Sequence, residues 1–257
     1  MNLKEKFFNL FGLFVEKKTD NEKIKKILSK LTPYKIPINI IRLGENNDGG
    51  YLIPDDLKGI KHCYTAGVGN LTKFEKDLYE YYKIESTLAD PSEIDVKILP
   101  EKSFFINKKV SIYDSDKTIS INNFIKSEKD IILKIDIERE EYENLLNIND
   151  YHLKNTRILI LELHDLRNLR SEFFFSLFEK ILDRLSIFFY ICHLHPNNSG
   201  KVKKIGNYNI PDMIEITLIN KKRLENFPKE IAQIPHSLDQ KIDPNKNEIF
   251  IDKNWFQ

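Results

Sequence analysis

The sequence lacks a strong net charge, a cysteine framework and a long apolar run, and each absence narrows its function. Its 257 residues contain 40 lysines and arginines against 39 acidic residues, which leaves a formal charge of +1. Without a broadly positive surface, the chain is not expected to bind nucleic acid. Two cysteines, Cys63 and Cys192, lie far apart and predict neither a disulfide framework nor a cysteine-rich zinc site. We therefore expect a protein of the reducing cytoplasm.

The first residues of the chain need to be distinguished from a targeting signal. The apolar stretch from Phe7 to Val15 is too short to span a bilayer, and two lysines follow it without a small-residue cleavage site. Phe7, Leu10, Phe11 and Phe14 instead fall at helical spacing and predict an amphipathic helix. We expect this helix to pack on the domain or on a second copy in a homo-oligomer. Peripheral contact with the inner face of the membrane is the alternative.

Strand-like and helix-like segments alternate along the rest of the chain. The strand-like runs are IKHCYTAG, IESTLAD, ILKIDIE, TRILILELH, FFYICHLH and MIEITLIN. Helical periodicity separates them, most clearly in residues 171–185. This alternation predicts an α/β fold, in which a mostly parallel sheet carries helices on both faces. We expect residues 1–35 to form an N-terminal helical appendage and residues 36–257 to form one Rossmann-like domain.

The sequence TAGVGN, residues 65–70, predicts a ligand-binding turn. Gly67 and Gly69 follow the first core strand and precede a helix, the position at which open α/β sheets bind ligands. Asp90 ends the next strand, where a carboxylate can hold both hydroxyls of a ribose. A nicotinamide fingerprint would have a third glycine where this chain has Thr72. The turn therefore favours S-adenosylmethionine over NAD, although a tight turn that binds nothing also fits the pattern.

Acidic and imidazole side chains follow three of the predicted strands in pairs. The pairs are Asp136 with Glu138, Glu162 with His164, and His193 with His195. Residues two apart in a strand share a face, so each pair is expected to point to one side. Imidazole titrates near neutral pH, so His164 or His195 can accept a proton while Glu162 or Asp136 orients it. The same donors suit a divalent metal such as Mg²⁺ or Mn²⁺, so an acid–base network and a metal site both remain open.

Seven short segments between Arg42 and Asn220 carry a family resemblance. They are RLGENNDGGY (42–51), YTAGVGNLTKFEKDL (64–78), ADP (89–91), LKIDIE (133–138), LELH (161–164), HLHPNN (193–198) and IPDMIEITLIN (210–220). In this order they resemble the FkbM-type family of S-adenosylmethionine-dependent methyltransferases. The resemblance implies a Rossmann-like class I methyltransferase. Its implied acceptors are hydroxyls of sugars, nucleotide sugars or surface-glycan precursors of the capsule type.

The resemblance also implies roles for individual residues. The glycine turn would lie under the methionine part of the cofactor, Asp90 would hold the ribose, and the DGGY hairpin would close over both. The implied cofactor site contains Asp48, Tyr51, Gly67, Gly69, Glu75, Asp90 and Asp136, and the implied substrate site contains Glu138, Arg139, His193 and Asn197. The family usually has glycine where this chain has Arg139. Because arginine lacks glycine's freedom at positive φ and adds a fixed cation, we expect an altered substrate pocket.

Two other classes of function remain compatible with the sequence. One is a nucleotide-dependent oxidoreductase or epimerase on a similar sheet, which Thr72 disfavours. The other is a non-catalytic, cofactor-binding partner protein, which Arg139 and the FFNLFGLF segment make conceivable. In the HPNN segment, Asn197 fits either a substrate contact or a simple turn.

Overall fold

The computed structural model describes residues 7–8, 10–12, 16–92, 95–126 and 129–256. The α-helices described in full are α1 (Asn21–Ser29), α2 (Lys73–Tyr82), α3 (Ile121–Phe124), α4 (Glu141–Asn147), α5 (Asp150–Asn155) and α6 (Glu172–Phe188). The strands are β1 (Ile40–Gly44), β2 (Gly50–Pro54), β3 (His62–Ala66), β4 (Glu85–Ala89), β5 (Ser103–Ile106), β6 (Lys109–Ser111), β7 (Thr118–Ser120), β8 (Ile131–Ile135), β9 (Thr156–Leu163), β10 (Phe189–Pro196), β11 (Val202–Ile205), β12 (Tyr208–Pro211) and β13 (Ile214–Asn220).

The central sheet of the described residues has seven strands in the order β10-β13-β9-β8-β3-β4-β5. The five strands from β9 to β5 are parallel, while β13 runs antiparallel to both of its neighbours. The chain builds outward from β3 in one direction and then, from β8, in the other. This reversal is the topological switch point of a Rossmann-like sheet, and it opens a crevice beyond the carboxyl ends of β3 and β8.

Buried apolar side chains cover the two faces of this sheet. Phe74 and Leu78 of α2 pack with the β1–β2 hairpin on one face. On the other face, α6 contributes Phe178 and Leu182 to the larger core. The strands are therefore apolar on both sides, as expected for parallel strands between two layers. The predicted α/β fold class, with helices on both faces of a mostly parallel sheet, is confirmed.

Helix α1 belongs to the larger core. Its first turn is capped by Asp20, whose carboxylate accepts the Lys23 amide at 2.8 Å. Ile24, Ile27 and Leu28 are fully buried and pack in the same cluster as the main sheet. Residues 21–29, part of the segment predicted as an appendage, thus pack into the core of the domain.

The segment before α1 was predicted to be an amphipathic helix. Phe14, one of its four apolar positions, lies outside the described residues. Phe7, Leu10 and Phe11 are described, and all three are mostly exposed. Phe7 packs against Phe11 with ring centroids 5.3 Å apart. Across the described residues, no helix combines the length and apolar character needed to cross a membrane.

Shortening a buried side chain of α1 should destabilise the whole domain. Ile27→Ala removes a fully buried side chain and should lower the free energy of unfolding by about 2–5 kcal/mol. Lys25→Ala, on the exposed side of the same helix, should change it by no more than about 0.5 kcal/mol. Urea unfolding followed by circular dichroism measures both. If Ile27→Ala leaves the main transition unchanged, α1 is an independent appendage.

Candidate functional site

The two glycines of the turn after β3 have different surroundings. Gly67 (φ +80°) donates its amide to the Ala89 carbonyl at 2.9 Å. A Cβ on Gly67 would lie 1.5 Å from the carbonyl oxygen of Asp136, whereas a Cβ on Gly69 (φ +52°) would meet no atom within 4 Å. Gly67 therefore lets the ends of β3 and β8 meet, and Gly69 borders open space. Only the second environment suits the predicted close approach of a ligand to the backbone.

The Asp90 carboxylate holds the glycine turn in place through hydrogen bonds to its backbone. Its Oδ2 accepts the amides of Val68 at 2.8 Å and Gly69 at 3.0 Å, and its Oδ1 accepts the amide and hydroxyl of Ser92. Burial opposes ionisation of Asp90, but these hydrogen bonds hold its pKa below the ordinary value. A carboxylate offers about four acceptor positions, and these bonds occupy them. For Asp90 to hold a ribose as predicted, the Ser92 hydroxyl must give up its position.

A cleft of about 360 Å³ opens between this turn and the β1–β2 hairpin. Of the residues predicted for cofactor and substrate, the cleft is lined by Asp48, Tyr51, Gly67, Gly69, Asp90, Asp136 and Glu138. The hairpin is fixed over the cleft because the Gly44 amide donates to Asp77 of α2 at 2.8 Å. The predicted cofactor residues thus converge on one cavity, with one exception.

The exception is Glu75, which is fully buried beneath the cleft and does not line it. Its carboxylate accepts the Thr65 hydroxyl at 2.7 Å and lies 3.6 Å from the Nζ of Lys134. Assigning Glu75 to direct cofactor contact was therefore wrong. Its negative charge instead compensates the ammonium group of Lys134, a buried side chain with an exposed fraction of 2%.

Lys134 connects this buried pair to the cleft, and the sequence reasoning missed it. Its ammonium donates to the Tyr51 hydroxyl at 3.3 Å and lies 4.5 Å from the centre of that ring. The Tyr51 hydroxyl in turn lies 3.5 Å from Oδ2 of Asp136. Burial, followed by the charge of Asp136, raises the pKa of Tyr51 well above its ordinary value, so Tyr51 stays a donor. The signal was available, since a lysine inside the apolar run ILKI needs a buried partner.

Three predicted catalytic residues meet beside the cleft, and Asp136 is the one of the three that lines it. Asp136 directly follows β8, Glu162 is the penultimate residue of β9, and His164 directly follows that strand. One ligand atom from each of the three lies within 4.8 Å of the other two. Burial raises the pKa of Asp136, although the charge of Lys134 opposes this. Burial and the neighbouring charges of Asp136 and Glu215 raise the pKa of Glu162 well above normal. Two carboxyl groups this close cannot both ionise without a compensating positive charge.

Two further side chains orient this cluster. Glu141, fully buried at the start of α4, accepts the backbone amide of His164 at 2.8 Å, and the same oxygen lies 3.2 Å from Nδ1 of that ring. Asn197 donates from its side-chain amide to Glu162 at 2.5 Å. Burial lowers the pKa of His164, but the bond and charge of Glu141, with Asp136 and Glu138, raise it overall. Asn197, predicted to bind substrate, thus holds a cluster member instead.

Glu138 and Arg139 lie beyond the end of β8, which finishes at Ile135. The prediction that Asp136 and Glu138 share a strand face was therefore wrong. Both Glu138 (φ +52°) and Arg139 (φ +85°) adopt the left-handed conformation. We expect an arginine at this position to avoid positive φ, yet Arg139 adopts the left-handed conformation that glycine would take. Its Nε lies 2.7 Å from Oδ2 of Asp165, which draws the guanidinium into a partly exposed ion pair rather than into the cleft.

His193 and His195 are buried on β10, but they are not part of this cluster. In the sheet, Glu215 of β13 lies between His195 and Glu162. The carboxyl-terminal segment covers both imidazoles, with Asp239 at 2.8 Å from Nε2 of His193 and Glu248 at 3.1 Å from Nε2 of His195. The predicted catalytic role of His195 and substrate role of His193 therefore lack the expected geometry: neither residue supplies an atom to the cluster, and His193 lines a separate cavity.

Comparisons with known proteins add little to this geometry. No protein-family model matches the sequence, and no curated protein matches it either. One similar solved structure is a mutant of MtNAS, with 11% identity, a TM-score of 0.32, and coverage of 63% of this chain and 53% of that one. This chain thus matches about half the length of MtNAS. Another is PH1948 from Pyrococcus horikoshii, provisionally named an RNA methyltransferase, with 14% identity, a TM-score of 0.35, and coverage of 78% and 99%. Likenesses this weak do not identify a function.

The two glycines should respond differently to the same substitution. Gly67→Ala should lower the free energy of unfolding by at least about 3 kcal/mol, since the clash with Asp136 adds to left-handed strain. Gly69→Ala should cost only about 1–2 kcal/mol, because strain alone opposes it. Urea unfolding of the two variants measures the difference. Equal losses would mean that Gly69 is as tightly packed as Gly67.

Proposed function

We propose that this protein is an S-adenosylmethionine-dependent methyltransferase. The observation that carries the proposal is one cleft bordered both by the open Gly69 backbone and by Asp136, through which the Asp136–Glu162–His164 cluster reaches the cleft. When bound, the cofactor supplies a methyl group on a positively charged sulfur. A site bordered by carboxylates suits a positively charged ligand. This proposal agrees with the family resemblance of the sequence, but it rests on the cleft.

The residues around the cleft fit such a cofactor in two respects. The amides of the turn and the Asp90 carboxylate lie at the carboxyl end of β3, where a nucleoside would enter a sheet of this topology. Gly69 leaves space for a ligand against the backbone, as no neighbouring atom fills that side. The absence of a third glycine at Thr72 disfavours a dinucleotide with its pyrophosphate.

We further propose that the methyl acceptor is a hydroxyl group. An alcohol must lose its proton as the methyl group arrives, so a proton acceptor must lie beside the reacting oxygen. The cluster supplies one, since Asp136 is both a wall of the cleft and a member of the cluster. Asp48 and Glu138, on the outer wall, can bind further hydroxyl groups. Polar walls of this kind favour a sugar, nucleotide sugar or glycan precursor as the acceptor.

Cofactor binding can be tested without knowing the acceptor. Isothermal titration should show binding of S-adenosylhomocysteine and no binding of NAD. Gly69→Ala should weaken S-adenosylhomocysteine at least about tenfold, or about 1.4 kcal/mol, because its methyl group enters the cleft. Gly59→Ala is the matched control, because Gly59 also has positive φ and no atom would lie nearer than 3.9 Å to its Cβ. Tight NAD binding would instead support an oxidoreductase or epimerase.

The cluster can be tested by transfer of a labelled methyl group to a panel of nucleotide sugars. His164→Ala should lower turnover at least about 10²-fold, the usual minimum for loss of a proton-transfer group. The affinity for S-adenosylhomocysteine should stay nearly unchanged, since His164 does not line the cleft. Wild-type turnover in a folded His164→Ala protein would remove this residue from the proposed chemistry.

A further inference from the structure

We propose that Asp136, Glu162 and His164 together bind one divalent cation of the Mn²⁺ type. The inference rests on the proposed function only for the cation's role, because binding itself follows from the geometry of the cluster. One donor atom from each residue lies within 4.8 Å of the others. Ligands at about 2.1 Å from a common ion are at most about 4.2 Å apart, so only small side-chain movements are needed to close the site.

The orientation of His164 is the second observation that points to a cation. Glu141 lies 3.2 Å from Nδ1 of the ring and also accepts the backbone amide, so it holds both the ring and its proton in place. The other ring nitrogen, Nε2, lies 3.8 Å from Oε2 of Glu138, and in the neutral ring with its proton on Nδ1 it offers a lone pair to a cation. Metal-binding histidines are almost always held in this way by a carboxylate or carbonyl on the other ring nitrogen.

Glu162 is held in a comparable way. Asn197 donates to Oε1 of Glu162, and Glu162 also shares a side-chain hydrogen bond with Asp136 inside the cluster. Asn197 is itself fixed, because its side-chain carbonyl accepts the Ser199 amide at 2.8 Å. Both inner ligands are thus oriented by buried neighbours, which is the support that a metal site requires.

The charges around the cluster also call for a cation. Lys134, the buried lysine nearest to Asp136 in this network, already lies 3.6 Å from Glu75. Glu162 has a second carboxylate beside it, since Glu215 is its partner in the neighbouring strand. Glu215 already has Nδ1 of His195 at 3.9 Å, which leaves Asp136 and Glu162 as the two close carboxylates of the cluster. A divalent cation would compensate them at the point where they converge.

The donor set selects the class of metal. Two carboxylates and one imidazole, with no thiolate among them, are a donor set that suits Mn²⁺ or Mg²⁺. The imidazole favours Mn²⁺ over Mg²⁺. Asp136 also lines the cleft, so the remaining coordination positions would face the incoming acceptor. There a cation could orient an acceptor hydroxyl and lower its pKa. In that case His164 acts as a ligand, and its loss would affect turnover through the metal.

Mn²⁺ binding to the full chain tests the proposal directly. Loss of the free Mn²⁺ signal in electron paramagnetic resonance should show one site in the wild-type protein. Glu162→Gln and His164→Gln should abolish that binding. Glu141→Gln should weaken it by about 10–100-fold, the usual effect of losing a group that orients a ligand. His195→Gln is the control, because His195 supplies no atom to the cluster and pairs with Glu248 and Glu215 instead.

Each outcome decides between the possibilities. Binding that survives His195→Gln and is lost in His164→Gln supports the site. The absence of Mn²⁺ binding, or its loss only in His195→Gln, overturns it. Circular dichroism checks that each variant is folded. If Glu162→Gln does not fold, the weakened Mn²⁺ binding expected of Glu141→Gln still tests the proposal. Titration with S-adenosylhomocysteine in chelator separates the two proposals, since cofactor binding without Mn²⁺ binding would refute the metal site alone.

Discussion

The close approach of Gly67 to the backbone of Asp136 is the constraint on which the site depends. Any side chain on Gly67 would lie 1.5 Å from the Asp136 carbonyl oxygen, so only glycine lets the two strand ends meet. The Asp136 amide donates to the Ala66 carbonyl at 2.9 Å and closes the contact. Because β3 and β8 flank the switch point, this contact places the glycine turn beside the acid–imidazole cluster.

Buried charges then fix the parts that surround this contact. Asp90 holds the glycine turn through its backbone amides. Lys134, paired with Glu75, donates to the Tyr51 hydroxyl and so holds the hairpin. Two residues after Asp136 the chain adopts strained conformations at Glu138 and Arg139. Left-handed backbone of this kind costs about 1–2 kcal/mol per residue and collects at functional sites. The strain is consistent with a segment shaped for ligand contact rather than for stability.

The sequence predicted the parts of this site that depend on local pattern. The alternation of strands and helices gave the fold class, and the glycine turn and the polar strand ends were found at the expected edge. The remaining parts depend on distant contacts. Glu141 looks like an ordinary acid in the first turn of a helix, and only the fold brings it to His164. His193 and His195 follow the same pattern as His164, but residues of the carboxyl-terminal segment cover them.

A crystal structure with S-adenosylhomocysteine bound tests the central claim most directly, namely that the cleft and the cluster form a single methyl-transfer site. The account predicts that the nucleoside lies on the Gly69 turn beside Asp90. It also predicts that the sulfur faces Asp136, toward Glu162 and His164. Binding in another cavity, such as the one lined by Tyr34, Tyr190 and Phe227, would contradict it. So would a sulfur atom that points away from Asp136.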